Sequence, residues 1–133
     1  MINWKNLDTL AAYPKLAALK GRVDLASAMS GENGARRVAE YQVPMACGLT
    51  YSYAAKAVDG EVLAALAELA TEAQLTEKYE ALYNGEMINT GEKRLVLHQL
   101  TRGQQGGDVI ADGVNKREFY VAQQQKAAEF ARK

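Results

Sequence analysis

Among 133 residues there is one cysteine, one histidine, one tryptophan and only two prolines. A lone thiol, Cys47, closes no internal disulfide. With His98 the only imidazole, little remains to build a His/Cys metal site. Net charge is missing too. Sixteen Lys and Arg balance sixteen Asp and Glu, which disfavours a basic nucleic-acid binder or a binder of anionic membranes. No apolar run approaches the roughly 20 residues that a membrane helix needs, and mean hydropathy is −0.28. The N-terminal MINWKNLDTLAAYPK has no basic stretch leading into an apolar one, so no signal peptide is expected. What is present is apolar bulk. The residues AVILMFWYC make up 48% of the chain, enough for a core and against disorder. At about 100–200 residues per domain, the length fits one domain or a piece of one. The expectation is a soluble, cytoplasmic chain without nucleic-acid or membrane partners.

Charge is uneven along the chain. Residues 1–58 carry +3, residues 59–92 carry −7 and residues 93–133 carry +4. The acidic block reads as the solvated face of two helices; the alternative packs it near the basic C-terminal segment.

The pattern is mostly α, with a short β hairpin near residues 38–52. Trp4, Leu7, Leu10 and Ala11 repeat at helical spacing, and Leu7 to Leu19 reads as helical. Within it Pro14 is either a break or part of the first turn of a second helix. Asp24 to Met29 adds one helical turn, and Ser30 to Gly34 reads as a loop. From Val38 to Ser52 strand-prone residues dominate, with Pro44 at an edge or in the turn. Asp59 caps a helix whose apolar stripe is Val62, Leu63, Leu66, Leu69 and Ala70. Thr76 caps the next, with Tyr79, Leu82 and Tyr83 inward and Gly85 as a left-handed terminator. Glu92 to Arg102 reads as a third helix closed by Gly103, followed by a turn-rich loop to Gly113. Asn115 and Glu118, at capping-box spacing, open a last helix in which Phe119, Ala122, Ala127 and Phe130 share a face.

Signals for chemistry are weak one at a time. Ser52 has no nucleophile-elbow context. Helical spacing puts Arg94, His98 and Arg102 on one face. Two flanking cations would favour the neutral, proton-accepting imidazole, so His98 is either a lone general base or a partly buried structural histidine bonded to a carbonyl. Cys47 reads as a small core residue, since no basic residue neighbours it. Gly103 to Gly107 follows a helix and lacks the Lys-Ser/Thr ending of a phosphate loop.

One stretch carries more. Gly85, Glu86, Ile88, Asn89, Glu92, Arg94, Val96, Leu97, His98 and Arg102 fit, without a gap, a pattern close to G-E-x-I-N-x-T-E-x-R-A-V-L-H-x-A-L-R. The segment resembles the glucose-6-phosphate isomerases. The likeness runs through residues 79–102 and extends over 49–130. Tyr51-Ser52 fits that family's D-Y-S-K-N-R strand, and Gly106 to Asn115 looks like its G-K-D-V-M-P-E-V-N. Departures are Tyr53-Ala54-Ala55 in place of Lys-Asn-Arg, Gly91 in place of Thr, and Gly103-Gln104-Gln105 where the family is Arg-rich.

The resemblance implies the N-terminal segment of such an isomerase, with 1–133 as one region. The parent reaction interconverts glucose 6-phosphate and fructose 6-phosphate, in glycolysis and gluconeogenesis. The family's phosphate-binding turns, proton-shuttling glutamate and ring-opening histidine and lysine lie beyond the matched segment. His98 is not that ring-opening histidine, so no catalytic residue, cofactor site or metal site is expected here. Gly85, Glu86, Ile88, Asn89, Glu92, Arg94, His98 and Arg102 are expected to be structural. The expected partner is the rest of the isomerase chain or a separately encoded catalytic domain, with a homodimer also open. The alternatives are a stand-alone interaction or regulatory module, and a small enzyme using His98 as base.

Overall fold

Two aspartates start helices by the same means. Asp24 accepts from Ala26 N–H at 3.1 Å, and Asp59 accepts from Glu61 and Val62 N–H at 3.1 and 3.0 Å. Each carboxylate satisfies donors that a first helical turn leaves bare. The computed structural model describes residues 2–102 and 106–132. They divide into two compact units, Trp4–Ala73 and Gln74 onward together with Ile2 and Asn3.

The first unit runs through a 3₁₀ turn at Leu7–Thr9, α1 (Tyr13–Ala18), α2 (Leu25–Ala28), α3 (Gly31–Glu40), β1 (Gln42–Pro44), β2 (Thr50–Ser52) and α4 (Gly60–Glu72). Pro14 sits in the first turn of α1, where its missing N–H costs nothing. Residues 31–34 are helical rather than a loop, and Val38 belongs to α3 rather than to a strand. Ser30 supplies the extended entry to α3. Gly34 permits close approach, since a Cβ there would lie 2.2 Å from the Met29 carbonyl oxygen.

The hairpin pairs Gln42 with Ser52, Val43 with Tyr51 and Pro44 with Thr50, antiparallel. With two strands both are edges, so Pro44 breaks no ladder. Cys47 stands at the hairpin tip with φ 58° and is exposed, not a core residue. A tight turn lifts it away from any core.

Leu10, Ala12, Leu69 and Ala73 form the core of this unit, with Leu16 packed against it. Of the predicted stripe, Val62 and Leu69 are buried but Leu66 is exposed. Glu72 joins α4 to α1 across 60 residues: its two carboxylate oxygens accept from Ala11 and Ala12 N–H at 2.8 and 2.7 Å. Lys15 pairs with Glu68, and Arg22 reaches Asp59 and Glu61 at 2.7 Å each. Four acids of the −7 block therefore serve the N-terminal stretch. Arg37, buried, donates to the Ala54, Lys56 and Val58 carbonyls at 2.7 Å each and lies 4.0 Å from the Tyr41 ring centre. One guanidinium thereby fixes the loop between hairpin and α4.

The second unit contains α5 (Leu75–Tyr83), a 3₁₀ turn at His98–Thr101, β3 (Ile110–Ala111), β4 (Val114–Asn115) and α6 (Lys116–Ala131). Gln74, left-handed at φ 54°, precedes α5, so Thr76 lies inside the helix and is not its cap. Asp112 and Gly113, both at positive φ, turn β3 back onto β4. Asn115 caps α6, its side chain accepting from Arg117 N–H at 3.2 Å. Leu100 is 0% exposed, and Ala81 and Val109 are also buried. The face predicted inward on α6 is open: Phe119 is 45% and Phe130 81% exposed. Tyr79 of α5 is exposed as well. The chain is mostly α with the expected short hairpin at β1–β2, as its pattern indicates, and a second, smaller one at β3–β4 that starts within the stretch read as a loop.

Candidate functional site

The motif segment begins where α5 ends. Gly85 has φ 74°, and its N–H donates to the Leu82 carbonyl at 3.1 Å. Glu86 N–H donates to the Ala81 carbonyl at 2.9 Å. These two bonds make a Schellman motif, which needs a left-handed residue at this position. Space adds a second demand for glycine: a Cβ on Gly85 would meet Val109 Cγ1 at 2.3 Å. Gln99 closes the same helix end by donating to the Leu82 carbonyl at 2.7 Å.

Asn89 and Glu92 build the next turn. Glu92 N–H donates to Asn89 Oδ1, and Asn89 Nδ2 donates to Glu92 Oε2, both at 3.2 Å. Arg94 N–H donates to the Asn89 carbonyl at 3.3 Å, forming an isolated antiparallel bridge. Lys93 at the apex takes φ 53°. Ile88 is half-buried beside this turn.

The third helix expected over 92–102 is absent. Turns occupy this stretch, followed by the 3₁₀ turn at His98–Thr101. The break is local: Asn89 and Glu92 make a cap-like pair of bonds, but Lys93 goes left-handed at φ 53°, which a continuing helix does not admit. Arg94, His98 and Arg102 therefore do not line one helical face. His98 is exposed rather than partly buried, and its carbonyl accepts from Thr101 Oγ1 at 2.8 Å. The structure joins Asn89, Glu92 and Arg94 in one turn and leaves His98 and Arg102 outside it. The altered stretch Gly103-Gln104-Gln105 lies outside the described residues.

Reasoning from residues missed Arg117 and Gln124. Arg117 is 8% exposed; its Nε donates to the Gly107 carbonyl at 2.9 Å. Its Nη2 is buried with no hydrogen-bond partner among the described residues. Gln124 donates to the Thr101 carbonyl at 2.6 Å. No sequence signal marks either residue, since both act on backbone carbonyls brought near only by folding. Among the described residues no three His, Cys, Asp or Glu side chains group as a metal site would require. No helix among them is long and apolar enough to cross a membrane.

The family model of phosphoglucose isomerase matches residues 52–133, which include the Gly85 terminator and the Asn89–Glu92 turn. The chain belongs to the phosphoglucose isomerase family. Likeness to individual family members reaches further toward the N-terminus. The chain is 48% identical to a glucose-6-phosphate isomerase of Treponema denticola, over 98% of the chain and 26% of that protein. It is 44% identical to one of Treponema pallidum (strain Nichols), over 98% of the chain and 25% of that protein. It is 40% identical to one of Borrelia garinii subsp. bavariensis, over 99% of the chain and 24% of that protein. The chain thus spans about a quarter of the length of the curated relatives it matches. β1 and α1–α3, which precede the 49–130 stretch of the residue-by-residue resemblance, are inside these alignments.

Proposed function

We propose that this chain is the N-terminal, structural segment of a cytoplasmic glucose-6-phosphate isomerase. The whole protein interconverts glucose 6-phosphate and fructose 6-phosphate, and its chemistry is done by residues outside this segment. The observation that carries the reading is the alignment of 98% of the chain with a quarter of proteins named glucose-6-phosphate isomerase. The work done by the motif residues supports it. Gly85 ends a helix, and Asn89 with Glu92 closes a turn. Aldose–ketose isomerisation asks for a positioned base, donors to an enediolate and a phosphate clamp.

Surface area points the same way. The chain exposes 9929 Å². Two wholly separate globules of about 7 kDa each would expose roughly 8,300 Å² together. The surplus over that reference fits a segment that another part of the polypeptide covers.

Two measurements test the reading. The purified 133-residue chain is assayed for isomerase activity alone, with none expected; turnover by this chain would overturn the structural assignment. A blot of source-cell lysate should show a band about four times 14.5 kDa. A band at 14.5 kDa would favour a stand-alone interaction module instead.

A further inference from the structure

The Asn89–Glu92 turn and the β3–β4 hairpin border a groove of about 560 Å³. Met87, Leu95, Leu97 and Ile110 give it an apolar lining, and Met87 and Ile110 are exposed. Three cations, Lys93, Arg94 and Lys116, stand against one carboxylate, Asp112. Lys116 Nζ lies 3.6 Å from Asp112 Oδ2. Among the described residues Lys93 and Arg94 form no ion pair. A chain of zero net charge therefore concentrates an excess of two positive charges at one apolar groove. The side that carries Lys93 is held firmly, because the paired bonds of Asn89 and Glu92 fix its turn.

We propose that this groove receives an acidic polypeptide segment with an apolar anchor, carried by the part of the isomerase outside the matched quarter. The proposal rests on the reading of the chain as a segment of that enzyme. Charge complementarity selects carboxylates at the rim, and the exposed Met87 and Ile110 select an apolar side chain between them. The relatives supply the occupant's source, since about three-quarters of their length lies outside the alignment. The exposure of Met87 and Ile110 leaves room for an occupant to cover them.

The test uses the purified chain and overlapping synthetic peptides that span the Treponema denticola enzyme outside its matched quarter. The strongest binders should carry two or more Asp or Glu beside an apolar residue. The double variant Lys93→Glu, Arg94→Glu should bind them about tenfold more weakly or worse. Binding should fall as salt rises from about 0.05 M to about 0.5 M. Circular dichroism checks that the variant folds; if it does not, Lys93→Gln with Arg94→Gln, and separately Ile110→Thr, carry the same expectation. Peptides bound equally by wild type and variants overturn the groove and leave the structural reading standing. No peptide bound by the wild type overturns the groove and leaves the structural reading, which the assay and the blot test, standing. A wild-type dimer dissociated by the double charge reversal assigns the groove to a second copy and overturns the proposal.

Discussion

Gly85 shows how one residue can be fixed by two unrelated demands. Its backbone is left-handed, and its missing side chain leaves room for Val109. The first demand costs a non-glycine residue about 1–2 kcal/mol, and overpacking a core adds about 1–3 kcal/mol. Gly85→Ala should therefore destabilise by about 2–5 kcal/mol in urea unfolding. Gly48 is the control, with φ +72° and open space where a Cβ would go. Gly48→Ala should cost only about 1–2 kcal/mol. Equal losses at the two sites would show that the Val109 contact contributes nothing. Sequence alone makes Gly85 legible as a helix terminator, because glycine after an amphipathic run is a local signal. The Val109 contact is not legible, because it joins positions 24 residues apart.

At the scale of elements, local chemistry separates what could be read from what could not. Asp59 and Asn115 are legible as caps because each acts within three residues, and Asp24, read as part of its helix, is its cap by the same short-range bond. The hairpin is legible from its β-branched and aromatic residues. The segment 92–102 is not, because its apolar spacing suits a helix while Lys93 takes a left-handed conformation that its residue type does not announce. Glu72 and Arg37 are likewise invisible, since their partners are backbone groups remote in sequence. The carboxylates that hold helix ends also set the response to acid. Hydrogen bonding from Val62 N–H, then the Arg22 side chain, holds Asp59 below the usual aspartate range. Ala11 and Ala12 N–H do the same for Glu72. A lowered folded value means that the unfolded chain binds protons first as pH falls. Their stabilisation is thus complete above the ordinary carboxylate range and is lost below pH ~4, as these groups protonate in the folded chain. Helicity followed by circular dichroism should decline there. Asp59→Asn keeps a capping oxygen but removes a titrating group, so its acid transition should be shallower. An unchanged acid transition would mean that Asp59 does not contribute.

At the scale of the molecule, the deciding quantity is surface left in water. Leu49, Met45, Tyr79, Ile110, Phe119 and Phe130 are all exposed. Denaturant sensitivity scales with the area that unfolding newly exposes. The urea m-value of this chain should therefore fall below that of a compact 133-residue domain. A value equal to that of such a domain would show that the exposed side chains are covered in solution. The same residues should bind a hydrophobic dye in the isolated chain and release it when their covering segment is supplied.

The bond from Glu72 back to Ala11 and Ala12 has a consequence in time. A ribosome adds roughly 5–20 residues per second. The residues that begin α1 therefore emerge several seconds before the carboxylate that holds them has been made. During synthesis the N-terminus waits without its clasp, and the first unit can close only after α4 is complete. Translation speed across residues 13–72 then sets how long the nascent end stays open to other contacts.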